Sequence, residues 1–182
     1  FPYTTLFRSM SGGYQIGPDG VLVRPAEHAA STYTKPELPE EAKENTEKGA
    51  EAAARHYLDL IVYAWNTGDT QPLADMSDPS SNFAQGHIAN TQEIYTNGWS
   101  FGNSATVQEV LRLEAVAEQD GAIPPNTIGV RFLVSASNGT RCKEQSIVVD
   151  SAQHSSTITL FMTWKDNRWT ELQGSARDYD DE

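Results

Sequence analysis

At 182 residues, of which 38% are hydrophobic, the chain has the length of one domain with polar ends. Acidic residues outnumber basic ones 25 to 13, and the formal charge of −12 repels nucleic-acid phosphates and anionic lipid, with no basic patch to offset it. The single cysteine, Cys142, excludes an internal disulfide or a cysteine zinc site, and no apolar run reaches the roughly 20 residues of a transmembrane helix.

Taken in chain order, Phe1 to Ser9 read FPYTTLFRS, the translation of a common short-read sequencing adapter, and are set aside from the fold. An in-frame adapter ahead of Met10 implies a truncated gene. Residues 10–37 lack a sustained apolar period and hold Gly12-Gly13 and Gly17-Pro18-Asp19-Gly20. They read as a flexible linker, with Val21-Leu22-Val23 too short to found a core. At Leu38-Pro39-Glu40-Glu41 a helical turn is expected, with Pro39 first and acidic side chains on the positive helix end.

Thr46 to Gly68, TEKGAEAAARHYLDLIVYAWNTG, predicts one long amphipathic helix. Ala50, Ala54, Tyr57, Leu58, Ile61 and Trp65 follow the rhythm of a buried face. Thr46 is suited to cap the start, and Gly68 to end it in the left-handed conformation. So wide and aromatic a stripe requires a large concave partner. A short helix is expected after Asp69 or Thr70, with Leu73 and Met76 inward. Ser77 to Ser81 breaks it. A third helix is predicted over 83–97, with Ile88, Thr91, Gln92 and Tyr95 on one face and Gly98 closing the end.

Beyond Ser104 the period changes from that of a helix to that of a strand. Leu111, Leu113, Ala115 and Ala117 alternate with charged residues, as do Ile128, Val130, Phe132 and Val134 with Thr127, Arg131 and Ser135. Ile147 to Val149 form a shorter run, and Ile158, Leu160, Met162 and Trp164 alternate with threonines. Asp166-Asn167 predicts a tight turn that sets Trp164 opposite Trp169. Helices first and antiparallel strands second give an α+β fold, a meandering curved sheet wrapped on the long helix.

That order, with NTGDTQPL after the long helix and the WKDNRW hairpin near the end, resembles the nuclear-transport-factor-2-like (ketosteroid-isomerase-like, cystatin-like) superfamily over about residues 38–176. The resemblance implies a cone-shaped, strongly bent antiparallel sheet closed by a long helix. PELPEEAKENT, YAWNTGDTQPLADMSDP and the QG and EIY–GW segments also resemble an uncharacterised family of bacterial surface lipoproteins. This second resemblance implies a lipid-anchored, extracytoplasmic protein in which a polar linker precedes the domain. No lipobox cysteine is present in this sequence, and Ser81 and Ala84 stand where that family tends to carry two cysteines. The organisation expected is therefore an adapter at 1–9, a linker at 10–37, the domain at 38–176 and an acidic tail at 177–182.

In the superfamily the cone can be an active site, with one buried ionisable residue as general base and a Tyr or Asp stabilising an oxyanion. Candidates by residue type are His56, Tyr57, Asp59 and Tyr63 on the long helix and His87, Glu93 and Tyr95 on the third. His56 and Asp59 lie off the apolar stripe and are expected at the solvent or the rim. Tyr57 is expected in the core. His28, His56, His87 and His154 form no metal-binding motif. Cys142, between Arg141 and Lys143, has no evident partner base and is expected to be structural. Asn138-Gly139-Thr140 matches a glycosylation sequon but is read as a hairpin turn. Trp65 and Trp164 are in phase with apolar stripes, which favours packing over ligand stacking for the four tryptophans (with Trp99 and Trp169).

No catalytic, cofactor-binding or metal-ligating residue is assigned. The expectation is a non-enzymatic binding module for an unknown small molecule or protein, monomeric or weakly dimeric, given Glu114, Arg131, Thr157, Thr159 and Thr163 on the outer sheet face. The competing expectation is a small isomerase or lyase using the cone interior.

Overall fold

A computed structural model describes residues 13–179, so the adapter-like segment 1–9 and Asp180 to Glu182 of the acidic tail lie outside the described residues. The order is three short 3-10 turns, helices α1 (Glu47–Thr67), α2 (Gln71–Asp75) and α3 (Asn82–Thr96), then strands β1 to β7. The α+β class expected from the sequence is the one observed, with helices packed on antiparallel sheets.

Helix α1 is punctuated as its ends predict. Thr46 Oγ1 accepts a hydrogen bond from the Gly49 N–H at 2.9 Å, and Gly68 ends the helix at φ 80° with its N–H on the Ala64 carbonyl. Gly49 has a second role. A Cβ there would lie 2.0 Å from the Glu44 carbonyl oxygen, so the 3-10 turn Glu40–Lys43 can press against α1 only over a glycine. The short α2 starts after Thr70, and Asp69 Oδ1 accepts from the Gln71 N–H at 3.1 Å.

Strands β2 (Ser104–Val116), β3 (Thr127–Ser137), β6 (Gln153–Lys165) and β7 (Arg168–Asp178) form one antiparallel sheet in that order. Val130, Phe132, Val134, Leu160 and Met162 bury against Ala53, Ala54, Tyr57, Leu58 and Ile61 of α1. The turn between β6 and β7 has Asp166 at φ 52° and Asn167 at φ 58°, the paired left-handed residues of a type I′ hairpin, and Trp164 pairs with Trp169 as predicted. The two indoles meet edge to face at 5.2 Å.

In β2 the expected alternation fails. Register shifts between Val107 and Glu109 and between Val110 and Arg112 turn Val107, Val110 and Leu113 to the core, while Leu111 is 40% exposed and Ala115 and Ala117 are exposed. A bulge adds one residue to one strand, and period-2 reading cannot see it.

A second sheet runs β1 (Gly98–Phe101), β4 (Thr140–Lys143), β5 (Ser146–Val149). Gly98 therefore opens a strand rather than closing α3. The Asn138-Gly139 pair is not a hairpin turn either: β3 and β4 belong to different sheets, and the chain changes sheet at this corner. A Cβ on Gly139 would meet the Phe101 carbonyl oxygen at 1.9 Å, which is why glycine stands there.

This small sheet carries its own core of Leu22, Trp99, Phe101 and Cys142. Residues 13–33, expected as linker, are part of it. Trp99 Nε1 donates to the Leu22 carbonyl at 2.6 Å, and Arg24 donates to the carbonyls of His28 and Asn66 and to Tyr95 Oη. His28 stacks on Phe101 with centroids 4.0 Å apart. Single anchors without a period do this packing, so no pattern announces it.

Candidate functional site

The space between α1 and the large sheet is where a cone-shaped fold would hold a substrate. Here Tyr57, Phe132, Val130, Leu160 and Met162 fill it with fully buried side chains. Close packing of this kind leaves no room for a ligand beside them.

Among the described residues one carboxyl lies in that interior beside the Tyr57 phenol, and the candidates read from the sequence do not include it. Glu171 on β7 is 0% exposed. An extra residue, Leu172, bulges opposite Phe161 and Met162, and Glu171 pairs with Met162 on the inward side. The Glu171 backbone is tied to the loop after α2: its N–H donates to the Met76 carbonyl at 2.8 Å, and its carbonyl accepts from the Asp78 N–H at 2.7 Å. Its side chain meets two hydroxyls. Ser81 Oγ donates to Oε1 at 3.0 Å, and Tyr57 Oη lies 3.2 Å from Oε2. Tyr57 Oη is also 2.8 Å from Ser77 Oγ, which donates to the Leu73 carbonyl at 2.7 Å.

Proton counting constrains this chain. Tyr57 and Ser77 hold two hydroxyl protons for three contacts, with Glu171 Oε2, with each other and with the Leu73 carbonyl. All three are filled at once only when the carboxyl carries a proton of its own. The electrostatics agree: burial pushes Glu171 up to about 7, against the lowering effect of the Ser81 and Tyr57 hydrogen bonds. Burial and the neighbouring Glu171 carboxyl raise Tyr57 far above the ordinary phenol range. The arrangement ties α1, the loop before α3 and β7 into one buried polar knot. It also presents an acid beside a phenol, the pairing that acid–base chemistry uses, with Glu171 itself fully buried and half-buried Ser77 at the edge of the knot.

The two positions where the lipoprotein family tends to carry cysteines are neighbours here. The Ala84 N–H donates to Ser81 Oγ at 3.1 Å, so the Ser81 hydroxyl both caps α3 and binds Glu171.

The remaining sequence candidates are scattered. Asp59 and Glu93 are exposed, and Tyr63 is half-buried. Tyr95 Oη lies within hydrogen-bond distance of the Trp65 and Ser100 carbonyls and of the Arg24 guanidinium, a structural crossroads. His87 sits edge-on to Phe83 at 4.6 Å and beside Trp65 at 5.5 Å, and burial lowers it to about 4. Cys142 is buried, and desolvation raises its thiol, which leaves it unreactive. His154 is exposed beside Asp150. Among the described residues no three His, Cys, Asp or Glu side chains converge on a metal-sized site.

His56 differs from expectation. It is only 7% exposed, on the floor of a cleft of about 570 Å³ between residues 35–43, α1, α2 and the start of β7. The far side of the same hairpin lines a cleft of about 490 Å³ with Pro124, Pro125, Trp164 and Leu172. A third cavity of about 230 Å³ lies at the corner between the sheets, beside Trp65 and Arg141. None of these three is lined by Tyr57, Phe132 or Glu171.

A family described as of unknown function, DUF6318, matches residues 25–174, so the matched region begins inside the expected linker. Among curated proteins none matches. Among solved structures, the intermembrane space region of the chloroplast protein ARC6 is similar at 13% identity and TM-score 0.52, over 73% of this chain and 97% of that one. A putative calcium/calmodulin dependent protein kinase II association domain from Xanthomonas campestris aligns at 9% identity and TM-score 0.50, over 80% and 94%. An uncharacterized protein with a cystatin-like fold from Caulobacter vibrioides aligns at 14% identity and TM-score 0.40, over 72% and 92%. At such identities the first two show a shared fold and nothing of activity.

Proposed function

The chain belongs to the DUF6318 family, a family of unknown function, and from that premise we propose that it is a non-enzymatic binding or interaction module working through its outer surface. One observation carries this reading: the interior between α1 and the sheet is filled, and its one carboxyl, Glu171, is sealed and already hydrogen-bonded. The acid itself is fully buried, whereas the clefts flanking the hairpin of Trp164 and Trp169 open outward. Display outside the cytoplasmic membrane on a lipid anchor is part of the proposal. It rests on the resemblance to surface lipoproteins, and sequencing the gene upstream of Met10 tests it. A signal peptide ending in a lipobox supports the address, and a plain cytosolic start removes it.

Soaking crystals with a mixture of small organic fragments tests the binding reading. Fragments lodged in the outer clefts are the expected result. A fragment seated against Tyr57 and Glu171 overturns it.

A second reading has an observation of its own. An acid held near pH 7 beside a phenol suits a small isomerase or lyase. It requires the interior to open, and the same soak decides between the two.

A further inference from the structure

Of the charged side chains around the cleft floored by His56, most are already engaged. Lys43 is paired with Glu40. Asp75 accepts from the Gln71 side-chain amide at 2.7 Å. Two cations are not engaged: Lys35 and Arg168 line the cleft with no hydrogen-bond or ion-pair partner among the described residues. Glu37 is the one anion in the lining left in the same condition. Counting every charge in the lining, Lys35, Lys43 and Arg168 balance Glu37, Glu40 and Asp75, so in a chain of net charge −12 the cleft is less acidic than the chain as a whole.

The floor points the same way. His56 is more than nine-tenths buried, yet neither ring nitrogen has a partner. The one fully enclosed side-chain nitrogen or oxygen without a partner among the described residues is Trp65 Nε1, so both His56 nitrogens keep accessible surface, and the cleft is what they line. Both nitrogens are therefore open to a hydrogen-bonding group that enters the cleft. Burial lowers the affinity of this ring for a proton, so it offers one N–H and one lone pair. Leu60, Met76 and the Trp169 indole supply apolar walls. A pocket of this size, in which apolar walls and convergent polar groups share the lining, has the make-up of a small-molecule site.

We propose that the cleft floored by His56 is a binding site for a small carboxylic acid with an apolar body. The carboxylate sits between Arg168 and Lys35, the body lies along Leu60, Met76 and Trp169, and a polar atom of the ligand meets His56. Arg168 is the stronger partner, because a guanidinium can give a carboxylate two parallel hydrogen bonds. This inference rests on the binding-module reading and supplies its ligand class.

The test is an NMR titration of the ¹⁵N-labelled full chain with phenylacetate and with its neutral counterpart phenylacetamide. Phenylacetate is expected to shift the His56 ring nitrogens and the amides of Leu60 and Trp169, with the amide binding at least about tenfold more weakly. Arg168→Gln, a change at an exposed side chain that leaves folding intact, is expected to weaken phenylacetate by about tenfold. His56→Phe is expected to abolish the shifts, and a melting curve checks that it folds. Equal binding of acid and amide, an unaffected Arg168→Gln, shifts centred on Trp164 and Asn126, or no shift at all would each overturn the acid site while leaving the module reading in place. Shifts centred on Tyr57 and Glu171 would instead contradict the module reading itself.

Discussion

Between α1 and the four-stranded sheet, long elements each repeat buried side chains at helical or two-residue spacing, whereas behind β1, β4 and β5 four buried side chains come from three short segments: Leu22, Trp99 with Phe101, and Cys142. The large core is made by regular elements that each bring several apolar groups. The small core is closed by Leu22 from an irregular stretch and pinned by polar tethers such as the Trp99 N–H on the Leu22 carbonyl. The difference separates what stabilises the whole domain from what stabilises one end of it.

Substitutions should reproduce that division. Phe132→Ala opens a cavity in the large core and is expected to cost about 3–5 kcal/mol in a denaturant titration, lowering the stability of every probe together. Leu22→Ala should cost about 2–3 kcal/mol. Hydrogen exchange should show its loss of protection confined to residues 13–33 and to β1, β4 and β5. A uniform loss across both cores would merge them into one cooperative unit.

The titratable groups sharpen the comparison inside the large core. Glu171 is raised from 4.5 to about 7 on folding, so its contribution is full below about pH 4.5 and is lost as pH rises through about 7. His87 is lowered from 6.5 to about 4, so its contribution is full above about pH 6.5 and is lost as pH falls through about 4. Over the shared window the two slopes oppose each other, as do those of Asp59, raised, and His56, lowered. The natural chain should therefore show a nearly flat stability profile there. Glu171→Gln keeps the neutral shape and removes one slope, and this variant should lose stability on acidification from about pH 6.5 to 4, as urea midpoints across pH would record. The smallest effect belongs to the bulged strand: Leu111→Ala should change stability by less than about 0.5 kcal/mol, and Leu113→Ala by clearly more.

Legibility followed the same line. The α1 caps, its apolar stripe and the hairpin of Trp164 and Trp169 were readable because propensity, turn chemistry and period agree at each of them. Leu22 and His28 were not, since an isolated anchor has no period, and its partners lie far away in sequence. The β2 bulges erased the phase of Leu111. Glu171 is a different kind of miss. With Trp169 placed inward, a two-residue period puts Glu171 inward too, and a carboxyl on the core side of a strand is a signal of perturbed acidity. His56 lies just beside the stripe of α1, and the 3-10 turn and α2 that bury it were too short for the stripe to foretell.

The outer-surface reading depends on an interior sealed around Glu171, whose carboxyl is pushed up to about 7 by burial. Carbon-13 NMR of the glutamate side-chain carboxyls across pH, with and without a neutral paramagnetic relaxation agent in solution, tests it most directly. The account predicts that the Glu171 carboxyl titrates near pH 7 and feels no relaxation from the agent. A carboxyl that titrates at the ordinary glutamate value and relaxes strongly would show an open, wet interior, and the case for a module that works only through its outer surface would fall with it.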